Sequence, residues 1–164
     1  MDVTRPAVRI VPATERDEPL ILQMIKDLAE YERMSDQVTA TQDGLCATLF
    51  GARPAAEVVI AFAGETPAGF ALFFQNFSTF VGRPGLYLED LFIRPEWRGH
   101  GIGRELLAHL AKITVERDYG RFEWTVLDWN EPAIGFYKKL GAVPLDGWTI
   151  FRVSGEALTR MAGV

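Results

Sequence analysis

The chain holds one cysteine, Cys46, in 164 residues. That excludes an internal disulfide and a cysteine-built metal cluster. Histidine is almost as scarce: His100 and His109 are the only two, and neither has a partner at metal-ligand spacing. No metal site is expected. No apolar run approaches the roughly 20 residues that a membrane span needs, so no membrane partner is expected either. Positive charge is in deficit, with 17 Lys and Arg against 22 Asp and Glu and a net charge of −5. Nucleic acid, which demands a basic stripe, is thereby disfavoured, whereas a small cation is compatible. Met1 to Arg9 mixes charge with proline around no apolar centre, which is not a signal-peptide pattern. There is no internal repeat and no low-complexity linker.

What is present reads as one globular domain over residues 1–164, with 48% hydrophobic and 24% charged residues. The cytoplasm is the expected compartment. Val8 to Val11 reads as a first strand. A helix starting between Thr14 and Asp17 carries Ile21, Met24, Ile25 and Leu28 at helical spacing, with Pro19 tolerated in its first turn. Thr41 is a candidate N-cap for a second helix that Gly51 closes. Strands over Val58 to Ala63 and Gly69 to Asn76 flank a hairpin signal, and Leu86 to Ile93 forms another. A helix up to Arg117 presents Ile102, Leu106, Leu110 and Ile113 on one face. A strand over Phe122 to Leu127, a helix over Pro132 to Leu140 and a final strand over Trp148 to Val153 complete the order. The expected fold is therefore α/β (α+β): a mixed, mostly antiparallel sheet of about seven strands with helices on both faces.

Three segments carry chemistry. Arg98-Gly99-His100-Gly101-Ile102-Gly103 lies between a strand and a helix, where glycines admit an anion close to the backbone and the first-turn N–H groups point at it. A dinucleotide fingerprint from Gly99 would need glycine at position 104, occupied by Arg104, and the Gly-Lys-Ser/Thr of a P-loop is missing. On glycines alone, a tight turn opening an ordinary helix fits as well. Just upstream, Glu89 and Asp90 interrupt an apolar strand. Neighbouring strand residues point to opposite faces, so one of the two faces a helix-covered side, where desolvation would raise its pKa and make it a usable base. Downstream, Asn130 is a candidate N-cap with Pro132 in the first turn, and Tyr137 follows on the same helix. A phenol there could give a proton to a departing thiolate.

Taken together, Arg-x-x-Gly-x-Gly followed by Asn-x-x-Ala-x-x-Phe-Tyr-x-x-x-Gly-Ala resembles the cofactor-binding half of the GNAT acetyltransferases. Tyr87-Leu88-Glu89-Asp90, the segment from Ile25 to Glu32, and Trp129-Asn130 resemble the diamine (spermidine/spermine) acetyltransferases within that superfamily. Val126 to Asn130, Tyr137 to Ala142 and the tail from Gly155 resemble its thialysine branch. The resemblance implies acetyl-CoA as cofactor, a small primary amine as substrate and a homodimer. It implies that Phe92 and Ile93 offer backbone to the pantetheine arm. Arg98, Gly99, His100, Gly101, Ile102 and Gly103 would hold the pyrophosphate, and Asn130, Glu131, Pro132 and Ala133 would line the coenzyme channel. Glu89 matches the base and Tyr137 the acid, while Tyr31, Glu32, Glu123, Trp124, Thr125 and Asp146 match substrate-contacting positions. Val11 and Leu140 replace basic residues usual in the family, and the loop before Gly147 is shortened. A non-catalytic acyl-CoA-binding module, or acetylation of protein lysines or N-termini, stays open at this point.

Overall fold

The computed structural model describes residues 7–164. The first six, most of the segment read above for a leader, lie outside that range. Strands β1 (Val8–Pro12), β2 (Glu57–Ala63), β3 (Thr66–Ser78) and β4 (Arg83–Ile93) run antiparallel. β5 (Phe122–Trp124) joins β4 in parallel, so the sheet order follows the chain. A parallel neighbour requires a crossover, and helix α3 (Ile102–Glu116) supplies it.

Helix α1 (Glu18–Tyr31) follows a 3-10 turn, Glu15–Asp17, opened by a capping box in which the Thr14 backbone N–H donates to Asp17 Oδ2 at 2.7 Å. Of its expected stripe Ile21 and Met24 are fully enclosed, Leu28 is buried and Ile25 is partly buried. In α2 (Gln42–Phe50) Thr41 is the cap, its Oγ1 accepting from the Gly44 N–H at 3.1 Å. Ile21, Met24 and Leu28 of α1 and Leu49 of α2 pack with Val58, Phe70 and Phe92 of the sheet. This cluster marks the face that α1 and α2 cover. Residues alternating with these, such as Ala71 and Phe73, point to the other face. There α3 lies against β3 and β4 and buries Ile102, Leu106, Leu107 and Leu110.

Strand β4 changes face partway along. Leu72 opposes Asp90, yet the next residue, Phe73, opposes Leu88, so Glu89 is an extra residue without a cross-strand partner. Such a bulge shifts the alternation by one. Cross-strand partners share a face, so Leu88 projects with Phe73 toward α3, whereas Asp90 and Phe92 project with Leu72 and Phe70 toward α1. One register slip thus turns a carboxylate into the α1 side of the sheet.

The chain packs as two compact units dividing after Thr125, and the elements above belong to the first. The second contains α4 (Glu131–Lys139) and α5 (Gly155–Ala162). Three expectations need correction. The sheet has five strands among the described residues, not about seven. The strand expected over Phe122 to Leu127 stops at Trp124, and Trp148 to Val153 forms no strand. An extended segment becomes a strand only by pairing its backbone, and the second unit offers no other strand to pair with. Helix α5, not expected, follows that segment. Among the described residues no helix is long and apolar enough to cross a membrane.

Candidate active site

The bulge sets the electrostatics of the first unit. Asp90 is half-buried, and desolvation, followed by the charges of Glu89 and Glu32, pushes its carboxyl up to about 6. Glu32 follows the last turn of α1, and burial raises its pKa as well. Glu89 is exposed. One of the two adjacent carboxylates was expected to occupy a desolvated environment, and it is Asp90, whereas the resemblance assigned the base to Glu89. No local sequence signal marks the bulge, since both sides of Glu89 read as apolar strand. Three carboxylates therefore gather between the end of α1 and the middle of β4, a field that favours an amine cation.

The anion loop follows β4 directly. Gly99 has φ 78° and Gly101 φ 80°, left-handed values that a side chain would strain. Gly101 is the N-cap of α3, and no side chain caps the helix. In α2 and α4 a threonine and an asparagine fill that place; α3, like α1 and α5, has no side-chain cap, but here two left-handed glycines precede the first-turn N–H groups at the positive end of the helix dipole. That arrangement fits a pyrophosphate. The loop is held by its own side chains. His100 Nδ1 lies 3.0 Å from the Arg98 carbonyl oxygen, and the His100 ring stands edge-on to Trp97 at 5.9 Å. Arg98 is exposed but held against its neighbours: its Nε donates to the Ile93 carbonyl at 3.0 Å, and its guanidinium lies 4.7 Å from the Tyr31 ring centre and 5.6 Å from that of Phe92. Tyr31, Phe92, Ile93 and the loop are thus brought together.

The other expected site residues divide. In β5 the Glu123 carboxylate accepts from Asn76 Nδ2 at 3.1 Å and pairs with Arg121 Nε at 3.0 Å, so both its oxygens have partners. The Trp124 and Phe122 rings lie tilted to each other with centres 4.8 Å apart, and Thr125 ends the first unit. In the second unit Asn130 caps α4 as expected, its Oδ1 accepting from the Ala133 N–H at 3.4 Å, with Glu131 and Pro132 opening the helix. Tyr137 lies on α4 beside Phe136, ring centres 5.5 Å apart. Asp146 lies in the irregular segment between α4 and α5. Away from these, the Cys46 thiol donates to Glu15 Oε1 at 3.2 Å, and that bond to a carboxylate raises its pKa, the opposite of what a nucleophile needs. Among the described residues no three His, Cys, Asp or Glu side chains gather as a metal site would require.

Comparison with known proteins agrees with this arrangement. The family model described as Acetyltransferase (GNAT) family matches residues 21–142, a range that spans both units. A thialysine N-epsilon-acetyltransferase of Sus scrofa is 40% identical over 168 residues, covering 96% of this chain and 98% of that one. An L-ornithine N5-acetyltransferase of Arabidopsis thaliana is 32% identical, covering 92% and 86% respectively. Among solved structures, an integron cassette protein from the mobile metagenome of V. cholerae superposes with a TM-score of 0.80 at 26% identity, covering 96% of this chain and 98% of that one. A glycine-lined helix N-terminus, on a chain that follows these relatives over nearly its whole length, agrees with that match: the chain belongs to the GNAT family and is an N-acetyltransferase.

Proposed function

We propose that the chain acetylates the side-chain amine of a thialysine-like amino acid, with acetyl-CoA as donor. The observation that carries the donor is the uncapped α3 N-terminus behind Gly99 and Gly101. Bound there, acetyl-CoA supplies the thioester carbonyl that the amine attacks. The backbone of Ile102 and Gly103 receives the pyrophosphate, and Phe92 and Ile93 flank the pantetheine arm. Asn130 shapes the coenzyme channel by fixing the start of α4.

An amine of pKa near 10.4 is about 0.1% neutral at pH 7.4, so a proton must leave before attack. Glu89 accepts it, directly or through one water, from an amine drawn by Glu32 and Asp90. Tyr137 returns a proton to the departing sulfur. Asp90 as the base is a second reading, favoured by its pKa of about 6, closer to the operating pH than an ordinary carboxylate. A short substrate bearing its own carboxylate suits a site with few acidic groups beyond this cluster. The relatives named for thialysine and ornithine support that choice. Steady-state acetylation of thialysine, lysine, ornithine, putrescine, spermidine and a lysine peptide tests it. Thialysine is expected to show the highest kcat/KM, the quantity that measures discrimination. Spermidine ahead by tenfold or more would overturn the substrate, and turnover of the peptide alone would overturn the small-molecule class.

A further inference from the structure

We infer that Arg98 is a positioning residue for the amine end of the site as well as part of the anion loop, acting through Tyr31. Arginine opening such a loop would serve the anion best by projecting outward. Here its Nε is committed to the Ile93 carbonyl at 3.0 Å, and its guanidinium lies 4.7 Å from the centre of the Tyr31 ring, with Phe92 on the same group at 5.6 Å. Tyr31 is the last residue of α1 and Glu32 its C-cap, so the ring that Arg98 touches adjoins a carboxylate of the cation-attracting cluster. The backbone closes this end, the Glu32 N–H donating to the Leu28 carbonyl and the Met34 N–H to the Ala29 carbonyl, and no basic residue lies in its last turn. The planar, always-charged guanidinium meets the Tyr31 ring from outside the helix, tying the end of α1 to β4 and to the loop that β4 feeds. One side chain thereby fixes the distance between the place where the amine is held and the place where the donor is held.

A cation–π contact at a part-exposed site corresponds to about a two- to fivefold change in an equilibrium constant. The test is a double-mutant cycle on Arg98→Gln and Tyr31→Leu, with both substrates varied, acetyl-CoA binding read by calorimetry and folding by thermal melts. Arg98→Gln is expected to raise the amine KM by about two- to fivefold, an increment that disappears once Tyr31 is leucine. Arg98→Lys, which keeps a cation over the ring, is expected to restore part of it, and serves in the cycle if Arg98→Gln does not fold. An effect confined to acetyl-CoA affinity, or amine effects that simply multiply in the double variant, would overturn the inference. It rests on the proposed function only for where the amine sits. The cycle uses whichever amine the wild-type enzyme acetylates best, so a wrong choice of thialysine leaves this outcome readable.

Discussion

Asp90 is a charge placed where a neutral group would be more comfortable. Its carboxyl titrates near 6 rather than near 3.8, because burial, Glu89 and Glu32 all oppose ionisation. For an acid whose folded pKa is raised, the stability it contributes is present below the unfolded value and is lost as pH rises through the folded one. The window is therefore between about 4 and about 6. Asp90→Asn, neutral throughout, is expected to melt above the wild type at pH 8 and level with it at pH 4. It should also remove an inflection near 6 from the pH profile of kcat/KM for the amine; identical profiles would remove Asp90 from the chemistry. Tyr137→Phe deletes one hydroxyl and keeps the ring beside Phe136. Loss of a positioned proton donor should lower kcat by roughly 10²–10⁴-fold with acetyl-CoA affinity little changed. Retained turnover, with chemistry rate-limiting in single-turnover kinetics, would make Tyr137 a packing residue.

At the level of elements, the contrast among helix N-termini is informative. Thr41 and Asn130 satisfy first-turn donors of α2 and α4 internally, which stabilises those helices and closes their ends to ligands. α3 forgoes a side-chain cap, and the burial of Ile102, Leu106 and Leu110 holds it in place instead. Gly101→Asp would install a capping carboxylate at a residue with φ 80° and put negative charge where the proposed function needs a pyrophosphate. Calorimetry of the folded variant should show no measurable acetyl-CoA binding; wild-type affinity would mean that the anion sits elsewhere. The bulge in β4 is the other decisive element. Without the extra residue at Glu89, Asp90 would follow Leu88 toward α3 and away from the end of α1.

Across the whole molecule, a net charge of −5 raises the local concentration of cations. A polyamine with three or four charges gains more from this field than an amino acid whose carboxylate offsets one charge. Raising salt from about 20 to 300 mM shortens the Debye length from roughly 20 to 6 Å and screens that gain. kcat/KM for spermidine should therefore fall more steeply with salt than kcat/KM for thialysine. Equal slopes would mean that recognition is confined to the reaction centre.

The helices with a clear apolar stripe, α1 and α3, were legible from periodicity, because burying such a stripe is what makes a helix of that length stable in water. The caps at Thr41 and Asn130 were legible because side-chain identity at one position decides them. The anion loop was legible because positive φ and close backbone approach single out glycine. Sequence thus determined the types of most elements in the first unit, the left-handed glycines ahead of α3 and, through its match to relatives, the family. Tertiary structure decided what depends on pairing between distant segments. The β4 register against β3 fixed which carboxylate is desolvated. The approach of the end of α1 to the loop set the Arg98 guanidinium over the Tyr31 ring. The lack of a strand partner left Trp148 to Val153 unpaired, since a strand, unlike a capped helix, draws its hydrogen bonds from residues far away in the chain.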